Sequence, residues 1–411
     1  MGFFSRLFSR RKPQRAKSIY SPGGSSEWIT ARGGGNYTSY ASEGYKSNII
    51  VYRCISLIAR GVASLRWIGY SGSDELDPSH PFVRIFYRPN PQQSGFTLFE
   101  TLVSHLLLSG NAYLRAIGPE IGPPLELYAL RPDKVDVLLD DNGNIIGYKY
   151  KTTQSQYTVF NADFSNWPDS IDTEVLHIKL FDPLNTIYGM SPLQAAAYSI
   201  DQYNAGSEWN YNLIKNGAKP TGVLTYEPGG DTIPSLSDEQ FERLKSEINE
   251  TYFGAKNAGR PMILDGGLKW QQLSFSPSEL DWTASRNMLA REIAQIFGVP
   301  PVLVGLDDPT YANQAEARLS LWEDTILPLA GKLRDELNWW LSPQFGEDMR
   351  IEYDSDDIPA LVQKRQDLWE KLQGVDFLTI NEKREAVGYE PIDGGDTLPQ
   401  PKKEKENAVS K

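Results

Sequence analysis

Three histidines, His80, His105 and His177, are the side chains with the chemistry to hold a metal or to move a proton near neutral pH. They fall in separate segments, and none has a second ligand four residues away, the spacing that puts two imidazoles on one helical face. Gly254-Ala-Lys-Asn-Ala-Gly259 has the glycine spacing of a phosphate loop, but Arg260-Pro261 stand where the lysine and hydroxyl would have to follow. Asp354-Ser-Asp-Asp357 could gather a divalent ion and reads more simply as a solvated acidic turn before Pro359. Asp141-Asn-Gly-Asn144 lacks the acid spacing of a calcium loop. Its Asn-Gly pair instead supplies the positive φ of a hairpin turn. No G-x-S-x-G elbow and no Cys/His cluster occurs. The expectation is therefore a protein with no catalytic residue, no metal and no cofactor.

Composition narrows the partners. A net charge of −12 opposes any surface that clamps phosphates, because such binding rests on Lys and Arg displacing counterions. The same charge suits a wall past which a polyanion must slide without sticking. Cys54 is the only cysteine, so an intrachain disulfide is impossible and a reducing compartment follows. It sits in an apolar helical run and reads as a buried, inert thiol. No apolar stretch approaches the roughly 18 residues of a membrane span. Residues 1–17 are basic, with Phe3, Phe4, Leu7 and Phe8 at near-helical spacing. Arg6 stands where a myristoylated N-terminus needs Ser or Thr, so residues 1–46 read as a disordered arm.

Periodicity then supplies the elements. Residues 49–65 carry Ile50, Cys54, Leu57, Ile58 and Val62 on one helical face. A second helix is expected over 97–109, capped by Thr97 with Glu100 three residues on. Short strands are expected at 111–116, 125–130, 135–139, 145–150 and 175–181. A long, mostly polar helix runs over 191–216, with Ser191 as its cap and Pro192 at its first position. At 1.5 Å per residue it would span about 39 Å, and its thin apolar stripe predicts that it stands exposed against neighbours. Within 219–276, strands are expected at 221–226, 261–264 and 268–275, and a helix at 237–251 with a Ser237/Gln240 box. Two further helices, 278–297 and 313–341, flank a connector that Pro300 and Pro301 force into extended form. Asn313 is the expected cap of the second, and Pro328 its kink. A strand at 349–353 and helices at 360–372 and 380–387, the last boxed by Thr379 and Glu382, complete an α+β chain before a charged tail at 397–411.

Arg291-Glu-Ile-Ala-Gln-Ile-Phe-Gly-Val-Pro-Pro301, then Ala315-Glu-Ala-Arg318 and Leu378-Thr-Ile-Asn-Glu382, resembles the portal proteins of tailed bacteriophages of the HK97 type. The resemblance implies an α+β elongated protomer, about twelve of which ring one capsid vertex, where DNA enters and leaves. It implies a wing at 47–190 with a return strand at 342–357, and stem helices at 191–218 and 277–298. It further implies a clip at 219–276, a tunnel loop at 299–312, a long kinked helix at 313–341 and a crown at 358–396. The tunnel-loop residues would be Val304, Gly305, Leu306, Asp307, Asp308, Pro309, Thr310, Tyr311, Ala312 and Asn313. Arg318 would pair with an acid of the next subunit. Double-stranded DNA would be cargo, with the terminase large subunit, a head-tail adaptor and the major capsid protein as partners and no membrane. The location implied is the virion's portal vertex, reached from the host cytoplasm during assembly. An alternative from another class is a scaffold or minor structural protein of a virion without a channel, and a DNA-processing enzyme is a third.

Overall fold

Helix α2, Ile49–Ala63, is the post around which the larger core gathers. The computed structural model of the chain describes residues 37–119, 122–153, 155–164, 172–215, 222–226, 237–251, 268–272, 282–306, 310–346, 348–355, 358–373, 375–387, 389 and 391–398. Order begins before the expected 47, in a short turn of helix α1, Tyr37–Ser39, that runs into a π-helical segment, Tyr40–Lys46. Tyr40 is buried there, and the Tyr37 hydroxyl meets His105 Nδ1 at 3.0 Å. Those contacts are tertiary and leave no periodic trace in a Ser-, Gly- and Tyr-rich stretch. Asn48 then caps α2, its side-chain oxygen accepting from the amides of Ile50 and Val51. Val51, Cys54, Ile55, Ile58, Ala59 and Val62 are fully covered, and burial pushes the Cys54 thiol up to about 12.

The chain continues through β1, Arg66–Ser71, and β2, Asp74–Glu75, to α3, Pro81–Tyr87, capped by His80. Helix α4, Gly95–Ser109, starts two residues earlier than expected. Its cap is Ser94, which accepts from the amide of Thr97, while Glu100 turns outward to pair with Arg60 at 2.9 Å. Thr97 was a plausible cap by spacing, but Phe96 and the close backbone at Gly95 already belong to the helix.

Strands β3 (Asn111–Ile117), β4 (Glu126–Leu130), β5 (Val135–Leu139), β6 (Ile145–Lys151), β7 (Tyr157–Asp163), β8 (Asp172–Thr173) and β9 (Val175–Lys179) follow. They form two antiparallel sheets, β4-β3-β9 and β5-β6-β7-β8. Tyr113, Val135, Tyr148, Phe160 and Val175 make a small second core between them. The β5–β6 hairpin turns on Gly143 at φ 84°, with Asp140 accepting from the amides of Asn142 and Asn144.

Helices α5, Pro192–Ala195, and α6, Ala197–Lys215, replace the single expected helix, with a break at Ala196. One face of the first half belongs to the core, with Leu193 and Ile200 fully covered, while Tyr198 on its other face is 74% exposed. Past Tyr203 no residue is buried, so the expectation of an exposed helix holds for the outer face and the distal part. Strand β10, Gly222–Tyr226, pairs with β11, Leu268–Gln272, around helix α7, Asp238–Thr251. The Ser237/Gln240 box is reciprocal, and the expected strand at 261–264 lies outside the described residues. Helix α8, Trp282–Ile296, lies on α6, with Ser199 Oγ donating to Glu292 at 2.7 Å and Arg286 reaching the Tyr203 hydroxyl.

Next come α9, Tyr311–Ser320, a π-helical turn, Leu321–Ile326, and α10, Leu327–Phe345. Proline 328 sits just after the π turn, which lets the Leu327 amide reach back to the Trp322 carbonyl. The wider turn removes the steric conflict that a proline creates in an unbroken α-helix. Trp340 is wholly buried and donates from Nε1 to the Thr173 carbonyl. Strand β12, Met349–Asp354, returns to pair antiparallel with β1, Arg66 opposite Asp354. Helix α11, Pro359–Gln373, and helix α12, Ile380–Ala386, follow, with the Thr379/Glu382 box complete.

Two expectations for stability follow. A side chain at Gly206 would place its Cβ 1.8 Å from the Trp282 ring. Helix propensity favours Gly206→Ala by roughly 1 kcal/mol, yet overpacking costs about 1–3 kcal/mol, so the clash decides the sign. Gly206→Val will accelerate amide exchange in α6 and α8 while leaving α2 and α4 protected. His105 is lowered to about 4 and His177 to about 3, each chiefly by burial. The unfolded chain therefore binds more protons below about pH 6.5, and this stability is lost as pH falls from there through the two folded values. The urea midpoint will be lower at pH 5 than at pH 7.5, and His177→Gln will reduce the difference.

Candidate channel-lining segment

The apolar face of α8, Ala290, Ile293, Ala294 and Phe297, is buried against the core and fixes where the chain can turn. Gly298 adopts φ 66°, its amide bonds to the Gln295 carbonyl, and the Val299 amide reaches Ala294. This double closure, with apolar Val299 tucked in behind a left-handed glycine, stops the helix before either proline. Thr325 in the π turn donates its hydroxyl to the Gly298 carbonyl at 2.8 Å, so the stop is tied to the long helix.

Beyond Pro300 the connector is less extended than expected. Pro301–Val304 forms a 3-10 turn that closes in the same way on Gly305, at φ 79°, with Leu306 N bonded to the Pro301 carbonyl. Leu303, Val304 and Leu306 pack on the main core, and Arg291 donates to the Leu306 carbonyl at 3.4 Å. Val304 and Leu306 are thus half-buried against the core, with Gly305 exposed between them. Asp307, Asp308 and Pro309 lie outside the described residues.

The helix resumes at Tyr311, two residues before the expected start. Its cap is Thr310, whose Oγ1 accepts from the Asn313 amide at 3.2 Å and donates to Asn313 Oδ1 at 2.5 Å. Asn313 therefore occupies the third helical position, and Tyr311, Ala312 and Asn313 form the first turn instead of a loop. Tyr311 is 92% exposed, and Arg318 is exposed one to two turns further on. Structure thus brings Thr310, Tyr311, Asn313 and Arg318 onto one short helix held by the core. Sequence reasoning missed Gly298 and Gly305 as helix stops, although Gly-Val and Gly-Leu after apolar helical runs are the signal that reveals them.

The three histidines each have a structural partner. His80 caps α3, His105 meets Tyr37, and His177 Nε2 lies 2.9 Å from Asn111 Oδ1. Asn111 also accepts from the Gly189 amide and so pins the turn ahead of α5. Among the described residues no group of three His, Cys, Asp or Glu could hold a metal ion. Nor is any described helix long and apolar enough to cross a membrane.

The family model described as phage portal protein matches residues 49–388. An uncharacterized protein of Rickettsia bellii (strain RML369-C) is 42% identical over 358 residues, 87% of this chain and 90% of the relative. The portal protein of Enterobacteria phage HK97 is 27% identical, over 84% of this chain and 80% of its own. Among solved structures, a chain in the neck of a native gene transfer agent particle, computed with C12 symmetry, superposes with a TM-score of 0.64. It is 39% identical, over 87% of this chain and 94% of that one. The helical stop at Gly298, the anchored connector and the capped long helix all fall within the matched span, and the chain belongs to the phage portal protein family, of the HK97 type.

Proposed function

We propose that copies of this chain close into a ring of twelve at one capsid vertex, and that double-stranded DNA passes through it during packaging and ejection. The observation that carries this is the 39% identical likeness, across 87% of the chain, to a component of a neck with twelvefold symmetry. Ring closure explains why the distal half of α6 leaves Tyr211 and Ile214 exposed, since a neighbouring copy would cover them. The acidic balance of the chain suits a conduit, because a wall that repels phosphates lets DNA slide without being held. The protein acts as a structural conduit and performs no bond chemistry of its own.

On this reading, 47–190 and 342–357 form the wing against the major capsid protein, and 191–218 with 277–298 form the stem. The insertion 219–276 is the clip, which meets the terminase large subunit and later the head-tail adaptor, and 358–396 is the crown. The narrowest passage is lined from 299–312, with its projecting part displaced toward Thr310, Tyr311 and Asn313 because Val304 and Leu306 are packed away. Tyr311 offers weak contacts to the DNA backbone that do not depend on base sequence, and Arg318 pairs with an acid of the adjacent copy. Assembly takes place in the host cytoplasm, before the virion is complete.

Electron microscopy of the purified protein will show a ring with an axial opening, whereas an array without a hole would favour a non-channel scaffold. In a packaging assay, Tyr311→Ala and Arg318→Ala will each lower the amount of DNA retained several-fold, and Leu125→Ala, at an exposed position ahead of β4, will not change it. Wild-type retention by Tyr311→Ala, Asn313→Ala and Arg318→Ala together would remove the assigned lining.

A further inference from the structure

The turn that links β9 to α5 displays two large apolar side chains almost entirely to solvent: Phe181 is 84% exposed and Leu184 96%. Loops that only bridge elements normally show polar tips, and apolar side chains this open on a rigid loop point to a partner. The loop is rigid by construction. Asp182 Oδ1 accepts from the Leu184 amide, and Asn185 Oδ1 accepts from the amides of Ile187 and Tyr188. Lys179 Nζ donates to the Thr186 carbonyl, and Asn111 holds Gly189 through both its amide and its carbonyl. Leu184 is therefore a fixed knob at the tip of a braced turn.

A socket of matching character opens at the start of α2. Tyr45, Lys46, Asn48, Ile49 and Tyr52 line a concavity of about 370 Å³. The Tyr45 and Tyr52 rings pack on one another, their centroids 5.0 Å apart, as one aromatic side of it, and Ile49, 62% exposed, offers an apolar surface beside them. Lys46 is exposed at its edge, opposite in charge to the Asp182 that precedes the knob. Two other concavities suit a leucine less well. One, against Pro328, Lys332 and Glu336 on α10, is walled by charge. Another, between Tyr37, Asn111, Asp133 and Tyr188, is lined by polar groups and adjoins the base of the knob itself.

The knob cannot fill its own socket. Asn48 bonds to Asn204 at 3.0 Å, and Asn204 lies twelve residues along the helical path from Pro192 at the knob's base, about 18 Å at 1.5 Å per residue. A loop braced at both ends does not cross that span. A knob and a socket at separate places on one surface make a head-to-tail contact, the kind that generates a closed ring when the rotation is right.

We propose that Leu184, with Phe181 beside it, seats in this concavity of the adjacent copy in the ring, against Ile49 and the paired Tyr45 and Tyr52 rings, with Asp182 facing Lys46 across the contact. This rests on the ring assembly proposed above and adds the residues that join one copy to the next.

Paired cysteines test it. In assembled rings carrying Leu184→Cys together with Ile49→Cys, mild oxidation with oxidised glutathione will give a ladder of covalent multimers on a non-reducing gel. Disulfide geometry demands that the two Cα atoms lie within about 7 Å, so only a seated knob can react. Each single variant will give no ladder, because a head-to-tail contact never places Leu184 against Leu184. Both sites are exposed, so neither substitution threatens the fold, and Cys54 is buried and takes no part. As a second readout, Leu184→Asp will shift native mass from rings toward monomers. Rings of the double variant that stay uncross-linked, or a ladder from Leu184→Cys alone, would overturn the proposal and leave the channel reading intact. Failure of the wild-type chain to form any ring would overturn both.

Discussion

One close approach sets the spacing of the rest of the molecule. Gly61 on α2 faces Ile326 in the π turn, and a Cβ at Gly61 would stand 2.5 Å from the Ile326 Cδ1. Glycine inside a helix costs about 1 kcal/mol relative to alanine, and here it leaves room for the end of the Ile326 side chain to rest on the helix backbone. The contact lets the long helix lie directly on the central post. Ile326, Ala330, Leu333, Leu337 and Trp340 then run along a core already built by α2 and α4.

From that contact the geometry of the lining segment follows. The π turn that places Ile326 against Gly61 also carries Thr325, which holds the Gly298 carbonyl. Gly298 ends α8, and α8 lies against both α2 and α6. The exposed first turn of α9 is thus positioned through a short chain of contacts: α8, Gly298, Thr325 and the π turn. On the proposed reading, a segment that touches a moving polymer must present its side chains without being pulled loose. Burying Leu303, Val304 and Leu306 on one side and capping the helix with Thr310 on the other provides that hold.

The same economy governs the surface. The larger core is lined almost wholly by aliphatic and aromatic groups, while polar groups inside it, such as Asn48, Asn111 and Ser191, each close a cap or a turn. Among the apolar side chains that stay outside are Phe181 and Leu184, Ile49 and Tyr52, and Tyr211 and Ile214 on the distal α6. Protomers of a ring need apolar surface on two sides, and an isolated subunit necessarily shows both.

Local chemistry was legible in the residues themselves. The boxes at Ser237/Gln240 and Thr379/Glu382, the Ser191-Pro192 start, the Asn-Gly hairpin and the period of α2 depend on neighbours within four residues, and each formed where spacing put it. The resemblance in residues 291–301 carried the family. What the residues could not show depends on partners distant in the chain. Strand β1 forms because β12 lies beside it, nearly three hundred residues later, and residues 37–46 are ordered because Tyr37 and Tyr40 find α4 and the core. Ser94 and Thr310 hold the caps expected at Thr97 and Asn313: buried Gly95 extends α4 toward its N-terminus, whereas α9 begins early through the local Thr310–Asn313 hydrogen bonds. Short-range hydrogen bonds are written in the sequence, whereas register and burial are decided only when remote surfaces meet.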